Sequence, residues 1–127
     1  MPGEQILIVD DTPLNLKLLS VLLAAKGYEV STATSAEEAN EILRVFRPDL
    51  LLLDIRLPGL DGLAFTRQLR ADPMRAGLII VAVTASAMRG DEEAALTAGF
   101  DGYITKPIDT RVLPTLVAEY LARGRRT

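Results

Sequence analysis

Four polar residues in this chain stand at or just past the ends of short apolar runs. Asp10 follows ILIV, Asp54 follows LLLL, Thr84 follows LIIVAV, and Lys106 comes shortly after Tyr103-Ile104. A short apolar run bounded by turn signals reads as a fully buried strand. In an open parallel sheet, groups at the carboxyl ends of the strands converge on one crevice. Asp10, Asp11 and Asp54 would then meet one hydroxyl and one ammonium. That is the make-up of a site that binds a metal and handles a phosphoryl group.

Three carboxylates in one crevice repel each other unless a cation sits among them. A hard divalent ion with oxygen ligands resolves the conflict, and Mg²⁺ typically uses one or two carboxylates, several waters and a substrate phosphate. Asp54 is the candidate nucleophile, because an Asp carboxylate can attack phosphorus and form an aspartyl phosphate. Lys106 would supply a compact cationic clamp. Thr84 would offer its hydroxyl to a phosphoryl oxygen, with the Ala85 N–H nearby. Each residue also has an ordinary reading: Asp11 as a helix cap, Thr84 as a structural strand end, Lys106 as a solvated surface charge. Their joint placement at successive strand ends favours the chemical reading.

The composition excludes other chemistries. There is no histidine, so no histidine general base, Ser-His-Asp triad or histidine metal ligand exists. There is no cysteine, so disulfides and thiolate metal sites are excluded. A net charge of −3 argues against a nucleic-acid partner, which calls for a basic face. Arg123, Arg125 and Arg126 at the end of the chain read as a solvated terminus. No apolar run nears the ~20 residues of a membrane span, and the first residues carry no signal-peptide pattern. A soluble, cytoplasmic domain with no membrane partner is expected.

The elements that would position these residues follow from the hydrophobic rhythm. Strands are predicted near 5–10, 29–34, 50–54, 78–84 and 102–105, and helices near 12–26, 36–46, 60–71, 90–98 and 110–122. Thr12 followed by Pro13 reads as an N-cap with proline in the first turn. Ser35 to Glu38 is a capping-box sequence. Gly27 and Gly99 stand where helix C-termini favour a left-handed residue. Alternating strands and helices imply an α/β fold with a parallel sheet covered on both faces. At 127 residues the chain reads as one domain spanning 1–127, with a core at about 4–123 and no output domain.

The motifs ILIVDDTPLN, DLLLLDIRLPGLDG, VAVTASAMRGD and AGFDGYITKPI span nearly the whole chain. Together they resemble a bacterial two-component response-regulator receiver domain of the chemotaxis-regulator type. The resemblance implies a single-domain, doubly wound, (βα)5 flavodoxin-like fold with strand order 2-1-3-4-5, an order for which a chemotaxis regulator is a standard example. It implies that Asp54 accepts phosphate. Asp10, Asp11, Asp54 and the backbone carbonyl of Arg56 would hold Mg²⁺, with Mn²⁺ as a substitute. Thr84 and Lys106 would contact the phosphoryl group, and Tyr103 would be an aromatic switch that follows Thr84. The implied product is a signalling switch rather than an enzyme with a turnover substrate, beyond its own phosphoryl transfer and slow self-dephosphorylation. A histidine kinase or histidine phosphotransfer protein would be the donor, since this chain has no histidine. A downstream protein would read the face formed by the fourth helix, fifth strand and fifth helix. Gly62 is assigned to turn chemistry.

Two rival readings fit less well. An Asp-nucleophile phosphatase of the haloacid-dehalogenase kind would place Asp-x-Asp after the first strand, where this chain has Asp10-Asp11-Thr12. A nucleotide or flavin binder needs a glycine-rich phosphate loop there. In the first helix, Leu14, Leu18 and Val21 line one face, and Leu16, Leu19 and Leu23 another. Such a helix is either deeply buried or faces a partner. In the second case Leu14, Leu18, Pro107 and Ile108 would form an apolar rim for the donor's helical bundle. The start at Met1 and the lack of a linker lead to the expectation of a free-standing protein, while the Asp11-Thr12-Pro13-Leu14-Asn15 motif also resembles receivers fused to hybrid kinases.

Overall fold

The computed structural model describes residues 3–55, 62–75, 77–84, 99–105 and 108–124, with only the backbone of Thr84. Five parallel strands are present: β1 (Gln5–Val9), β2 (Glu29–Ala33), β3 (Leu50–Asp54), β4 (Ile79–Thr84) and β5 (Gly102–Thr105). They lie in the order β2-β1-β3-β4-β5, as the resemblance implied. Helices α1 (Pro13–Ala24), α2 (Ala36–Leu43), α3 (Gly62–Arg70) and a C-terminal helix (Leu113–Arg123) cover the sheet, with a short 3₁₀ turn at Pro73–Arg75. The helix expected over 90–98 lies outside the described residues.

Successive side chains of a strand point to opposite faces, and the core divides accordingly. Leu7, Val9, Leu51, Leu53, Ile80 and Ala82 pack with Ala39, Leu43, Phe65 and Leu69 of α2 and α3. Ile6, Ile8, Leu50, Leu52, Val81 and Val83 pack with Leu16, Leu19 and Leu23 of α1 and with Leu113 and Val117 of the C-terminal helix. Every residue of β3 is buried, because it is central and covered on both faces.

The helix ends refine the sequence expectations. Ser35 accepts a bond from the Glu38 N–H at 3.1 Å, as a capping box requires. The reciprocal bond is displaced by one residue: Glu38 accepts from the Thr34 N–H at 2.5 Å. Thr12 occupies the N-cap of α1 but makes no side-chain cap bond. Its hydroxyl instead lies 3.5 Å from an Asp11 oxygen. The last helix was expected from residue 110 and starts at Leu113. Asp109 holds the preceding turn, accepting the Arg111 N–H at 3.0 Å, and Pro114 then sits in the first helical turn. Gly27 and Gly99 have φ of 94° and 111°, as their places predicted.

Candidate functional site

Strand register builds the site. Val9 of β1 pairs with Leu53 of β3, so Asp10 and Asp54 emerge side by side at one edge of the sheet. The carboxylates of Asp10, Asp11 and Asp54 each bring one oxygen within 4.8 Å of the others. Asp10 and Asp54 are 2% and 4% exposed, whereas Asp11 faces solvent. The turn into α1 orients Asp10: its Oδ1 accepts the Thr12 N–H at 2.9 Å, and its Oδ2 lies 3.5 Å from Asn15 Nδ2. The donor set is all oxygen and compact, which fits a hard divalent cation such as Mg²⁺.

Neighbouring strands deliver the remaining positions to the same edge. Asp54 pairs with Val83, and the Ile55 N–H donates to the Val83 carbonyl at 3.1 Å. Thr84, the last residue of β4, pairs with Thr105, the last of β5. Arg56, Ala85, Lys106 and Pro107 lie outside the described residues. Tyr103 is half-buried in β5 against the α2–α3 side of the core, and its N–H lies 3.4 Å from the Tyr120 hydroxyl.

The structure decides between the two readings of the first helix. Leu16, Leu19 and Leu23 are buried, while Leu14, Leu18 and Val21 are 75%, 46% and 60% exposed. The sheet and the other helices therefore do not absorb the second stripe. Ile108 differs from the three exposed residues, being partly buried against the α1 side of the core.

Gly62 has a larger part than a turn residue. A Cβ at this position would lie 2.7 Å from both the Asp54 carbonyl oxygen and the Ile55 Cα. Its N–H donates to the Ile55 carbonyl at 2.9 Å, and its carbonyl accepts the Thr66 hydroxyl at 2.8 Å. The start of α3 thus presses on the backbone that carries Asp54. Glycine, eight residues after Asp54, was visible in the sequence. The close approach was not, because it arises from packing between elements.

Comparison with known proteins agrees with this geometry. The response regulator receiver domain profile matches residues 6–118. The polar-differentiation response regulator DivK of Brucella anthropi is 40% identical over 118 residues, covering 93% of this chain and 96% of that protein. A CheY-like receiver domain protein from Methanospirillum hungatei has a TM-score of 0.87 at 32% identity, covering 95% of each chain. The receiver domain of a Pseudomonas aeruginosa sensor histidine kinase, solved with a magnesium ion in its active-site cleft, has a TM-score of 0.84 at 34% identity. It covers 94% of this chain and 98% of that one. Shared sequence along almost the full length, on a shared strand order, makes this chain a member of the response-regulator receiver domains, phosphorylation-activated signalling switches of two-component systems.

Proposed function

We propose that this receiver takes a phosphoryl group from a phosphohistidine donor onto Asp54 in a Mg²⁺-dependent step. The observation that carries the reading is the cluster of Asp10, Asp11 and Asp54 within 4.8 Å at the carboxyl edge of the sheet. A carboxylate oxygen of Asp54 attacks phosphorus, and the P–N bond of the donor breaks with its electron pair returning to the imidazole. Bound at this edge, a magnesium ion would supply charge neutralisation. Asp10, Asp11, Asp54 and the Arg56 carbonyl would hold it, and Mn²⁺ would substitute. Thr84, Ala85 and Lys106 hold the phosphoryl oxygens, supported by the register that ends β4 and β5 together at this edge. Later attack by water on the acyl phosphate gives slow self-dephosphorylation.

The donor is a histidine kinase or histidine phosphotransfer protein, since the chain has no histidine of its own. The exposed stripe of Leu14 and Leu18, with Pro107 and Ile108, forms the apolar rim on which the donor's helices dock. Phosphorylation adds roughly −1.5 to −2 charges at the edge of the sheet. Thr84 and Tyr103 respond, and the face around the 90–98 segment, β5 and the C-terminal helix changes its affinity for a downstream protein. The reading places the chain in the cytoplasm; among the described residues no helix is long and apolar enough to cross a membrane. The test is labelling by acetyl phosphate and by a phosphorylated histidine kinase. Asp54→Asn should abolish the base-labile, hydroxylamine-sensitive acyl phosphate, and chelation of Mg²⁺ should suppress it in the wild type. An acyl phosphate that persists in Asp54→Asn would refute the acceptor assignment.

A further inference from the structure

A buried ion pair lies at the opposite edge of the sheet from the acidic cluster. Arg70, the last residue of α3, donates through Nη2 to Asp101 Oδ2 at 2.5 Å. The two side chains are 11% and 3% exposed. Arg70 also donates to backbone: Nε to the Gly99 carbonyl at 2.9 Å and Nη1 to the Leu78 carbonyl at 2.6 Å. Asp101 in turn meets both backbone groups of Ile80. Its Oδ2 accepts the Ile80 N–H at 2.8 Å, and its own N–H donates to the Ile80 carbonyl at 2.7 Å. Gly99 has φ of +111°, and a Cβ there would stand 2.8 Å from Arg70 Cγ. One guanidinium therefore ties together α3, the start of β4 and the residues from which β5 starts.

A buried ion pair is weak evidence for stability, because apolar residues of similar volume often serve as well. What a planar fork with three directed bonds provides is a fixed relative placement of three backbone segments. The segment it fixes leads directly to Tyr103. We propose that Arg70 and Asp101 are positioning residues of the switch. They hold β5 in place on β4, so that phosphorylation moves the side chain of Tyr103 rather than the strand that carries it. This rests on the assignment of Tyr103 as the responding residue.

The experiment uses the full chain with Arg70→Ala, Arg70→Lys and Asp101→Asn, at a temperature where circular dichroism shows each variant folded. Three quantities are read: Mg²⁺ affinity, acetyl-phosphate labelling, and the change in the Tyr103 ring resonances on labelling. Mg²⁺ affinity and labelling are set at the other edge and should stay within about twofold of wild type. The Tyr103 response, as a population ratio, should fall by roughly two- to thirtyfold, the range seen when a coupling network is cut. Arg70→Lys should resemble Arg70→Ala, because one ammonium cannot serve three separated acceptors. Asp101→Asn should be milder, since it keeps an acceptor for the Ile80 N–H. Should Arg70→Ala not fold, the two conservative variants carry the same comparison. A full Tyr103 response in the folded variants would overturn the inference, as would Mg²⁺ affinity and labelling falling in step with the response. Wild-type protein that takes label while Tyr103 stays unmoved would overturn the switch assignment itself, and the inference with it.

Discussion

Gly62→Ala sets helix propensity against packing. Propensity alone favours alanine over glycine in a helix by about 0.5–1 kcal/mol. The structure gives the opposite sign. The new Cβ would lie 2.7 Å from the Asp54 carbonyl oxygen and the Ile55 Cα, against the ~3.5–4.0 Å of ordinary carbon contacts. Both obstacles are backbone, so no side chain can swing aside. Either the start of α3 retreats by up to about 1 Å and loses the Gly62-to-Ile55 bond, or the end of β3 moves. Overpacking of this kind costs about 1–3 kcal/mol, leaving a net loss of up to about 2.5 kcal/mol after the propensity gain. For a domain of this size that is a fall in Tm of up to roughly 10 °C. The second consequence concerns the metal. Ligand positions hold to about 0.2 Å in a metal site, and disturbing the support behind a ligand typically costs 10–100-fold in affinity. Calorimetric melts with and without Mg²⁺, and Mg²⁺ titration, read both effects. Gly77→Ala is the control, because nothing lies within 4 Å of a Cβ there and its effect should stay within about 0.5 kcal/mol. A Gly62→Ala protein that melts at or above wild type with unchanged Mg²⁺ affinity would refute the reasoning.

Two further outcomes are expected. Leu14 is 75% exposed, so Leu14→Asp should leave the fold and acetyl-phosphate labelling unchanged while slowing transfer from the cognate phosphohistidine donor at least tenfold; equal loss in both assays would remove the docking role. Burial, and after it the Glu4 carboxylate, raises the Tyr28 phenol above its ordinary value of 10.0. The folded protein then holds that proton at a pH where the unfolded chain has released it. The associated stability is present in full below pH 10 and is lost as pH rises toward the folded value. Thermal melts across about pH 9 to 11 should show Tyr28→Phe losing less stability than wild type; parallel slopes for the two proteins would contradict this.

Much of this protein was legible from local pattern. The apolar runs before Asp10 and Asp54 became buried strands, and the βα rhythm became a parallel sheet in the order that the motifs implied. The three carboxylates were expected to converge and do so. Strand ends are legible because a run of Leu and Ile must be buried, and the first charge after it marks where the apolar core gives way to the crevice in which Asp10 and Asp54 are held. The Ser35–Glu38 cap was readable for a similar reason, since both partners lie within one turn.

What the sequence could not decide is what depends on contacts between distant elements. The two leucine stripes of α1 look alike in sequence, and only the placement of the helix on the sheet buries Leu16, Leu19 and Leu23 while exposing Leu14 and Leu18. Gly62 could pass for a turn residue until α3 was seen pressed on the carbonyl of Asp54. Arg70 and Asp101 lie thirty-one positions apart and share no local motif, yet they join in a buried pair that links α3, β4 and the start of β5. Periodicity records which residues must leave water; which of them then touch each other is settled by how the helices and strands pack.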